Sequence, residues 1–111
     1  MKLADLINDR GTRARHAEGS KLNLDDNGNY LLIVGSDSDI GQQAQWEIAR
    51  MDKTNSEAVS KLRAIYAGFI IDWSLEEKIT HKKAVKLLEE VPSLLAEIIS
   101  FIQDSGNFTK P

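Results

Sequence analysis

Two clusters of polar residues have side chains that could bind a cation or a phosphate. The cluster Asp25–Asn29 holds the carboxylates and amides of a calcium loop. An EF-hand counted from its first residue needs glycine at the sixth position and glutamate at the twelfth, where this chain has Tyr30 and Ser36. The cluster Gly35–Asp39 lacks the lysine of a phosphate loop, and its two carboxylates would repel phosphate. We therefore interpret the first cluster as a hairpin turn and the second as the start of a helix.

The histidines and serines form no catalytic set. His16 lies in a charged segment and His81 lies beside an expected helix start, without an HExxH motif or a second histidine at helical spacing. No serine lies in a GxSxG nucleophile elbow, and the chain has no cysteine. We therefore expect no enzyme activity, no metal site and no cofactor.

Two tryptophans and a group of lysines are the residues best suited to bind another protein. Trp46 lies off the apolar stripe of its expected helix, so it either exposes apolar surface or packs on the hairpin. Trp73, which follows Asp72, is either a core residue with a paired indole N–H or an exposed binding residue. Four lysines make one helix face basic, which is either solvated or docks an acidic partner. These lysines are Lys78, Lys82, Lys83 and Lys86.

Hydrophobic periodicity predicts the elements that position these residues. Alternation over residues 21–24, turn formers at Asn27–Gly28 and a β-branched run at residues 30–34 are typical of a β-hairpin. Apolar residues at spacings of three and four then predict four helices. Their expected starts are Ser36 or Ser38, Ser56, Thr80 and Pro92. The second helix is expected to end at residues 72–74 and the fourth at Gly106.

Length and composition favour one small domain. The chain has 111 residues, of which 41% are hydrophobic and 6% aromatic, so its core is expected to be aliphatic. The net charge of −3 opposes a function that depends on neutralising DNA phosphates. No segment has the pattern of a signal peptide or a membrane span.

We predict a mainly α fold in which about four helices follow one β-hairpin, or an α+β fold if the hairpin is well ordered. Residues 18–106 are expected to form this single domain. Residues 1–17 are expected to be a charged arm, either a helical turn or two or a mobile segment, and residues 107–111 a C-terminal tail.

Several strings of this sequence resemble the tail assembly chaperones of long-tailed bacteriophages. The resemblance covers roughly residues 18–108 and is moderately specific in combination. It begins with the hairpin and continues through Gly35–Ser38, Ile70–Ser74, Ala84–Leu94 and the closing Asn107–Phe108. The link after the tryptophan departs from the family, since Glu76–Ile79 is short and charged where the family often has a longer, glycine-rich link.

The resemblance implies a non-enzymatic protein that acts in the cytoplasm of the infected bacterial host and is absent from the mature virion. It would bind the tape-measure protein and keep it soluble during tail assembly. In many such phages a frameshifted longer form recruits the major tail tube protein. We expect neither nucleic acid nor membrane as a partner, and leave open a homo-oligomer. The candidate partner-binding residues are Trp46, Asp72, Trp73, Lys78, Lys82, Lys83, Lys86 and Phe108.

The main alternative is a small helical nucleic-acid-binding regulator that uses the second and third helices as a helix-turn-helix. The lysine face supports this alternative. The acidic net charge opposes it, and so does the connection from Asp72 to Thr80, because the usual turn has about 3–4 residues. A small hydrolase or metal enzyme is a further alternative, for which the sequence supplies no convergent set of polar groups.

Overall fold

The computed structural model describes residues 2–3 and 16–108. Within residues 20–108 the chain forms three strands, four α-helices and a short 3-10 helix, which together make an α+β fold, and residues 16–18 are also helical. The elements in chain order are β1 (Ser20–Asn23), β2 (Tyr30–Ile33), α1 (Asp39–Arg50), α2 (Ala58–Ala67), β3 (Ile70–Trp73), α3 (His81–Glu90), α4 (Pro92–Gln103) and the 3-10 helix Ser105–Phe108. The predicted fold, four helices preceded by a hairpin, is confirmed.

The hairpin is formed by β1 and β2, which pair in antiparallel register. Gly28 in its turn has φ +88°, a conformation that L side chains rarely adopt. The carboxylate of Asp25 accepts hydrogen bonds from the Asn29 side-chain amide at 2.8 Å and from the Asn27 backbone N–H at 2.9 Å. These donors, the Asn29 amide foremost, hold the pKa of Asp25 below its ordinary value of 3.8. The acidic cluster is therefore a hairpin turn, as its sequence predicts.

A third strand corrects the expected length of the second helix. That helix was expected to continue to residues 72–74, but α2 ends at Ala67 and the chain turns at Gly68. Strand β3 then pairs with β2 in antiparallel register, and the backbone N–H of Val34 donates to Phe69 at 2.9 Å. The two β-branched residues at the start of β3 favour a strand once β2 offers unpaired backbone groups.

The helix starts follow the local rules read from the sequence. The Ser38 hydroxyl accepts from the backbone N–H of Gly41 at 2.9 Å, and the Thr80 hydroxyl accepts from Lys83 at 3.2 Å. Pro92 occupies the first position of α4. Two boundaries differ, because α2 begins two residues after Ser56 and α4 ends before Gly106.

One aliphatic core joins the sheet to the helices. Strand β2 contributes Leu31 and Ile33, both with no exposed surface. Helix α4 contributes three large side chains, Leu94, Ile98 and Ile102, whereas α1 contributes only Ala44 to this cluster. None of the helices in the described ranges is long and apolar enough to cross a membrane.

At both ends of the predicted domain, a residue expected to lie outside it is buried. His16, expected in the arm, is 4% exposed, and its ring stacks on Phe108 with centroids 4.6 Å apart. Phe108, expected in the tail, is 3% exposed because it also packs edge-on against Phe101. Asn107 donates its side-chain amide to the Phe101 carbonyl at 2.9 Å. Residues 1 and 4–15 of the predicted arm lie outside the described residues, and so do residues 109–111 of the predicted tail.

Candidate functional site

Two of the predicted binding residues are buried. Trp73 is 8% exposed, and its indole N–H donates to the Glu77 carbonyl at 2.7 Å. Of the two alternatives for this tryptophan, the structure therefore favours the core residue. Phe108 is also buried, as described above. Asp72 is exposed, and its carboxylate accepts from the backbone N–H of Trp73 at 2.9 Å, which makes it part of the local strand geometry.

The four predicted lysines are all exposed around the start of α3. The ammonium of Lys83 donates to the Lys78 carbonyl at 3.2 Å, which satisfies one backbone acceptor before the helix. Lys83 and Lys86 line a shallow groove beside Trp73, but the carboxylate-bearing Glu77 and Glu90 line the same groove. The lysine face is therefore of mixed charge where it meets a concave surface.

Trp46 is the most exposed of the three aromatic residues predicted to bind a partner. Its side chain is 59% exposed on α1. The guanidinium of Arg50, one helical turn later, lies over its ring at 4.4 Å from the centroid, a cation–π contact. Trp46 therefore presents apolar surface to solvent beside a positive charge.

Trp46 belongs to a groove between α1 and α2 that we call the α1–α2 groove. The start of α1 lies beside the end of α2, so the two helices run antiparallel. Two adjoining pockets of about 610 and 520 Å³ make up this groove. They share the lining residues Gln43, Glu47, Ala64 and Ile65. One pocket adds Asp39, Ile40, Ala44, Gly68 and His81, and the other adds Trp46, Arg50, Met51 and Lys61.

The two buried residues of α1 are both small. A Cβ on Gly41 would lie 2.4 Å from the Gly35 carbonyl oxygen and 2.6 Å from the Ser36 Cα, so α1 packs backbone to backbone on the turn before it. Ala44 is the only other buried residue of α1. Ala64 and Ile65 of α2 line both pockets of the groove and are half-buried.

The rim of the α1–α2 groove carries charges. Glu47 accepts a hydrogen bond from the Gln43 side chain at 3.2 Å, and the ring nitrogen Nε2 of His81 lies 2.8 Å from the Ala64 carbonyl oxygen. Asp52 lies close to Lys61, and its pKa is below the ordinary value. The main cause is the hydrogen bond from the Thr54 hydroxyl, followed by that from the Thr54 backbone N–H, and the Lys61 charge adds a smaller effect. The groove thus combines an apolar floor with polar edges.

The sequence indicated Trp46, at one end of this groove, as a binding residue, but it indicated no binding residue at the other end. The spacing of Ile40, Ala44 and Ile48 predicts one apolar stripe on the first helix, but the side chain of Ile40 is 40% exposed and lines the groove. Its position in the first turn of α1, beside the capped turn, is the signal that could have indicated exposure, because first-turn residues lie at the edge of a helix contact. Ile65 belongs to the apolar face that spacing predicts for the second helix, but nothing local shows that this face is incompletely covered.

The sequence also raised a metal site and a helix-turn-helix as alternatives. Among residues 2–3 and 16–108, no group of three histidine or acidic side chains is placed to hold a metal ion. The helix-turn-helix alternative needs α2 and α3 to be joined by a short turn, but strand β3 lies between them. The geometry of the two helices is therefore not that of a helix-turn-helix.

Comparison of the chain with protein-family models, curated proteins and solved structures finds no match.

Proposed function

We propose that this protein is a tail assembly chaperone that binds the tape-measure protein of a long-tailed bacteriophage and keeps it soluble during tail assembly. The observation that carries the proposal is the α1–α2 groove, with an apolar floor and with Trp46 59% exposed at its rim. An open groove between two helices is a common docking place for the apolar face of a third helix. A long helical client is the kind of protein that presents such faces.

Binding would be weak at each groove and strong in total. A single three-turn contact buries little area, so one copy releases its segment easily. Many copies along one client hold it collectively, because each bound copy adds to the total without a new kind of contact. Reversible coating of this kind lets tail-tube subunits displace the chaperone as the tube grows.

The remaining parts of the proposal come from the family resemblance. The protein acts in the cytoplasm of the infected bacterial host and is absent from the mature virion. A longer frameshifted form recruits the major tail tube protein. The sequence strings at Gly35–Ser38, Ile70–Ser74 and Ala84–Leu94 support this assignment.

The test is co-expression with the longest helical reading frame encoded directly downstream of this chain. Two aspartate variants form a matched pair. Ile40, 40% exposed in the groove, and Val59, 52% exposed outside its lining, are each the second residue of their helix, where a carboxylate is tolerated by the helix dipole. We expect the wild type and Val59→Asp to bind the product and keep it in the soluble fraction. We expect Ile40→Asp to fold but to lose most of the bound client, measured by pull-down.

Two outcomes of this experiment would contradict the proposal. If Ile40→Asp and Val59→Asp retain the client equally, the groove is not the binding surface. If the wild type neither binds the downstream product nor raises its soluble fraction, with the tag at either end, the chaperone proposal is wrong.

A further inference from the structure

The two outer strands of the sheet, β1 and β3, differ at their outer edges. The strand order is β1-β2-β3, so each outer strand has one edge without a neighbouring strand in the sheet. Ser74 donates its backbone N–H to the Tyr30 carbonyl of β2, so the N–H of Trp73 points away from β2. The Asp72 carboxylate accepts that N–H at 2.9 Å. A charged side chain therefore occupies the outer edge of β3, which is one way in which proteins protect a sheet edge.

Backbone groups at the outer edge of β1 lack such a partner. Leu24 donates its N–H to the Asn29 carbonyl at 2.8 Å, and hydrogen-bonded pairs alternate along an antiparallel ladder. Leu22 therefore bonds to β2, while the N–H and C=O groups of Lys21 and Asn23 point outwards. These outward groups make no hydrogen bond with another residue of the described ranges. The edge thus offers two donors and two acceptors in a row.

The side chain of Lys21 does not cover this edge. A lysine on an outer strand commonly opposes the addition of another strand. Here the ammonium lies 4.5 Å from the centroid of the Tyr30 ring, in a cation–π contact on the sheet face that points away from the core. Because side chains alternate along a strand, Leu22 points to the other face, towards the helices.

A groove of about 520 Å³ lies between β1 and α4 on that face. Leu22 lines it from β1, and Phe101 adds apolar surface from α4. Glu97 and Asp104 also line it, and no basic side chain of the described residues does. The Asp104 carboxylate accepts the Gly106 N–H at 3.0 Å, whereas Glu97 is exposed and has no hydrogen bond or ion pair with a described residue. The groove is therefore apolar with one available carboxylate.

We propose that the outer edge of β1 binds an extended segment of a partner protein as a fourth, antiparallel strand. The backbone of this segment pairs with Lys21 and Asn23. The residue opposite Leu22 is apolar and enters the groove, and a basic residue two positions away faces Glu97. In strand addition the main chain supplies affinity and alternate side chains supply specificity. This surface shares no residue with the α1–α2 groove, so the inference goes beyond the proposed function.

Charge favours a basic partner over a second copy of this chain. Two copies joined through β1 about a two-fold axis would have both α4 helices on the same face of the joined sheet. The groove of each copy would then adjoin that of the other, and the two Glu97 carboxylates would lie on the same side of the joint. Like charges brought together oppose association, whereas a basic segment is attracted.

The experiment titrates the isotope-labelled full chain with synthetic seven-residue peptides and follows its amide resonances. The parent peptide has isoleucine at its centre, lysine two positions away on either side and threonine elsewhere. We expect the N–H resonances of Lys21 and Asn23 to shift as these groups gain hydrogen bonds, and that of Leu22, already bonded within the sheet, to shift less.

Two methylated peptides form a matched pair. One carries N-methyl groups on the two threonines beside the isoleucine, whose N–H groups face β1 in the proposed register. The other carries them on the isoleucine and one lysine, whose N–H groups face away. We expect the first to bind about ten-fold more weakly than the second, because it loses two hydrogen bonds to the edge.

Three variants of the chain test the same contact. Lys21→Pro removes only an outward N–H, so the ladder to β2 is kept, and Lys21→Thr is its control because it loses the charge but keeps that N–H. We expect the parent peptide to bind Lys21→Pro about five-fold more weakly than Lys21→Thr. Glu97→Gln should weaken binding about three-fold at low salt, with a smaller difference at high salt.

Several results would overturn the inference. They are absence of binding at millimolar peptide, equal affinities of the two methylated peptides, and shifts that leave Lys21 and Asn23 unchanged. If Lys21→Pro does not fold, the methylated pair decides. A dimer in sedimentation that Lys21→Pro dissociates and Lys21→Thr does not would assign the edge to a second copy and overturn the inference as well. The co-expression test decides the chaperone proposal separately.

Discussion

Helices α1 and α4 have 12 residues each but contribute different side chains to the core. Helix α4 buries the large residues Leu94, Ile98 and Ile102. Helix α1 buries only Gly41 and Ala44, and exposes a tryptophan and an isoleucine instead. The comparison shows that one helix stabilises the fold by its side chains, while the other is attached by its cap and its backbone. Ile40 and Trp46 of α1 are consequently accessible to solvent.

The same substitution on the two helices should give the largest contrast. Ile98 has no exposed surface, so Ile98→Ala removes buried carbon atoms and leaves a cavity, which lowers the free energy of unfolding by about 2–5 kcal/mol. Ile40→Ala, at a side chain 40% exposed, should lower it by less than about 1 kcal/mol. Urea denaturation of both variants measures the difference. Equal losses at the two positions would contradict the division of roles between α4 and α1.

A smaller effect is expected from the backbone contact that attaches α1. Gly41→Ala places a Cβ 2.4 Å from the Gly35 carbonyl, and the backbone atoms there cannot move aside as a flexible side chain could. We expect a loss of about 1–3 kcal/mol in the free energy of unfolding. Ala49→Gly, at an exposed site of the same helix, is the control and should cost about 0.5–1 kcal/mol through helix propensity alone. A stabilised Gly41→Ala would mean that propensity outweighs packing and that α1 is not held by this contact.

The smallest effect on stability should accompany the loss of the most prominent apolar side chain. Trp46→Ala removes a 59% exposed ring and its contact with Arg50, which is worth about 0.5–1 kcal/mol at an exposed site. Thermal unfolding should therefore change little, while capture of the helical client in the pull-down should fall several-fold. A large loss of stability with unchanged capture would show that this tryptophan packs in the fold and does not serve the groove.

The sequence predicted those features of the fold that depend on neighbours in the chain. The hairpin turn, the hydroxyl caps at Ser38 and Thr80, and the proline at the start of α4 each follow from residues a few positions apart. Such local rules hold because the hydrogen bonds concerned are local. The helix starts were accurate to within two residues for the same reason.

Strand β3 could not be predicted from its own residues. A short apolar run at residues 69–73 continues the spacing of α2, so periodicity alone extends the helix. The run becomes a strand because β2, distant in sequence, supplies backbone partners, with Ile33 opposite Ile70 and Leu31 opposite Trp73. Pairing between distant segments is not encoded in the pattern of either one.

The sequence predicted only part of the candidate site, for the same reason. Trp46 lies off the stripe of its helix, and exposure was one of the two alternatives that this position left open. Trp73 is buried because the strand that carries it packs into the core, which only the fold reveals. The groove itself depends on the antiparallel placement of two helices, and therefore on contacts that no single segment specifies.

The stacking of His16 on Phe108 has a topological consequence. Their rings are 4.6 Å apart, so the two ends of the segment 16–108 meet, and a short linker can join them. New ends can then be opened in the exposed loop at residues 52–57. In such a circular permutant α2 begins the chain and α1 completes it, so the two walls of the groove come from opposite termini. Cutting the linker would then divide the protein into two fragments, each with one wall of the groove, and their reassembly could be measured.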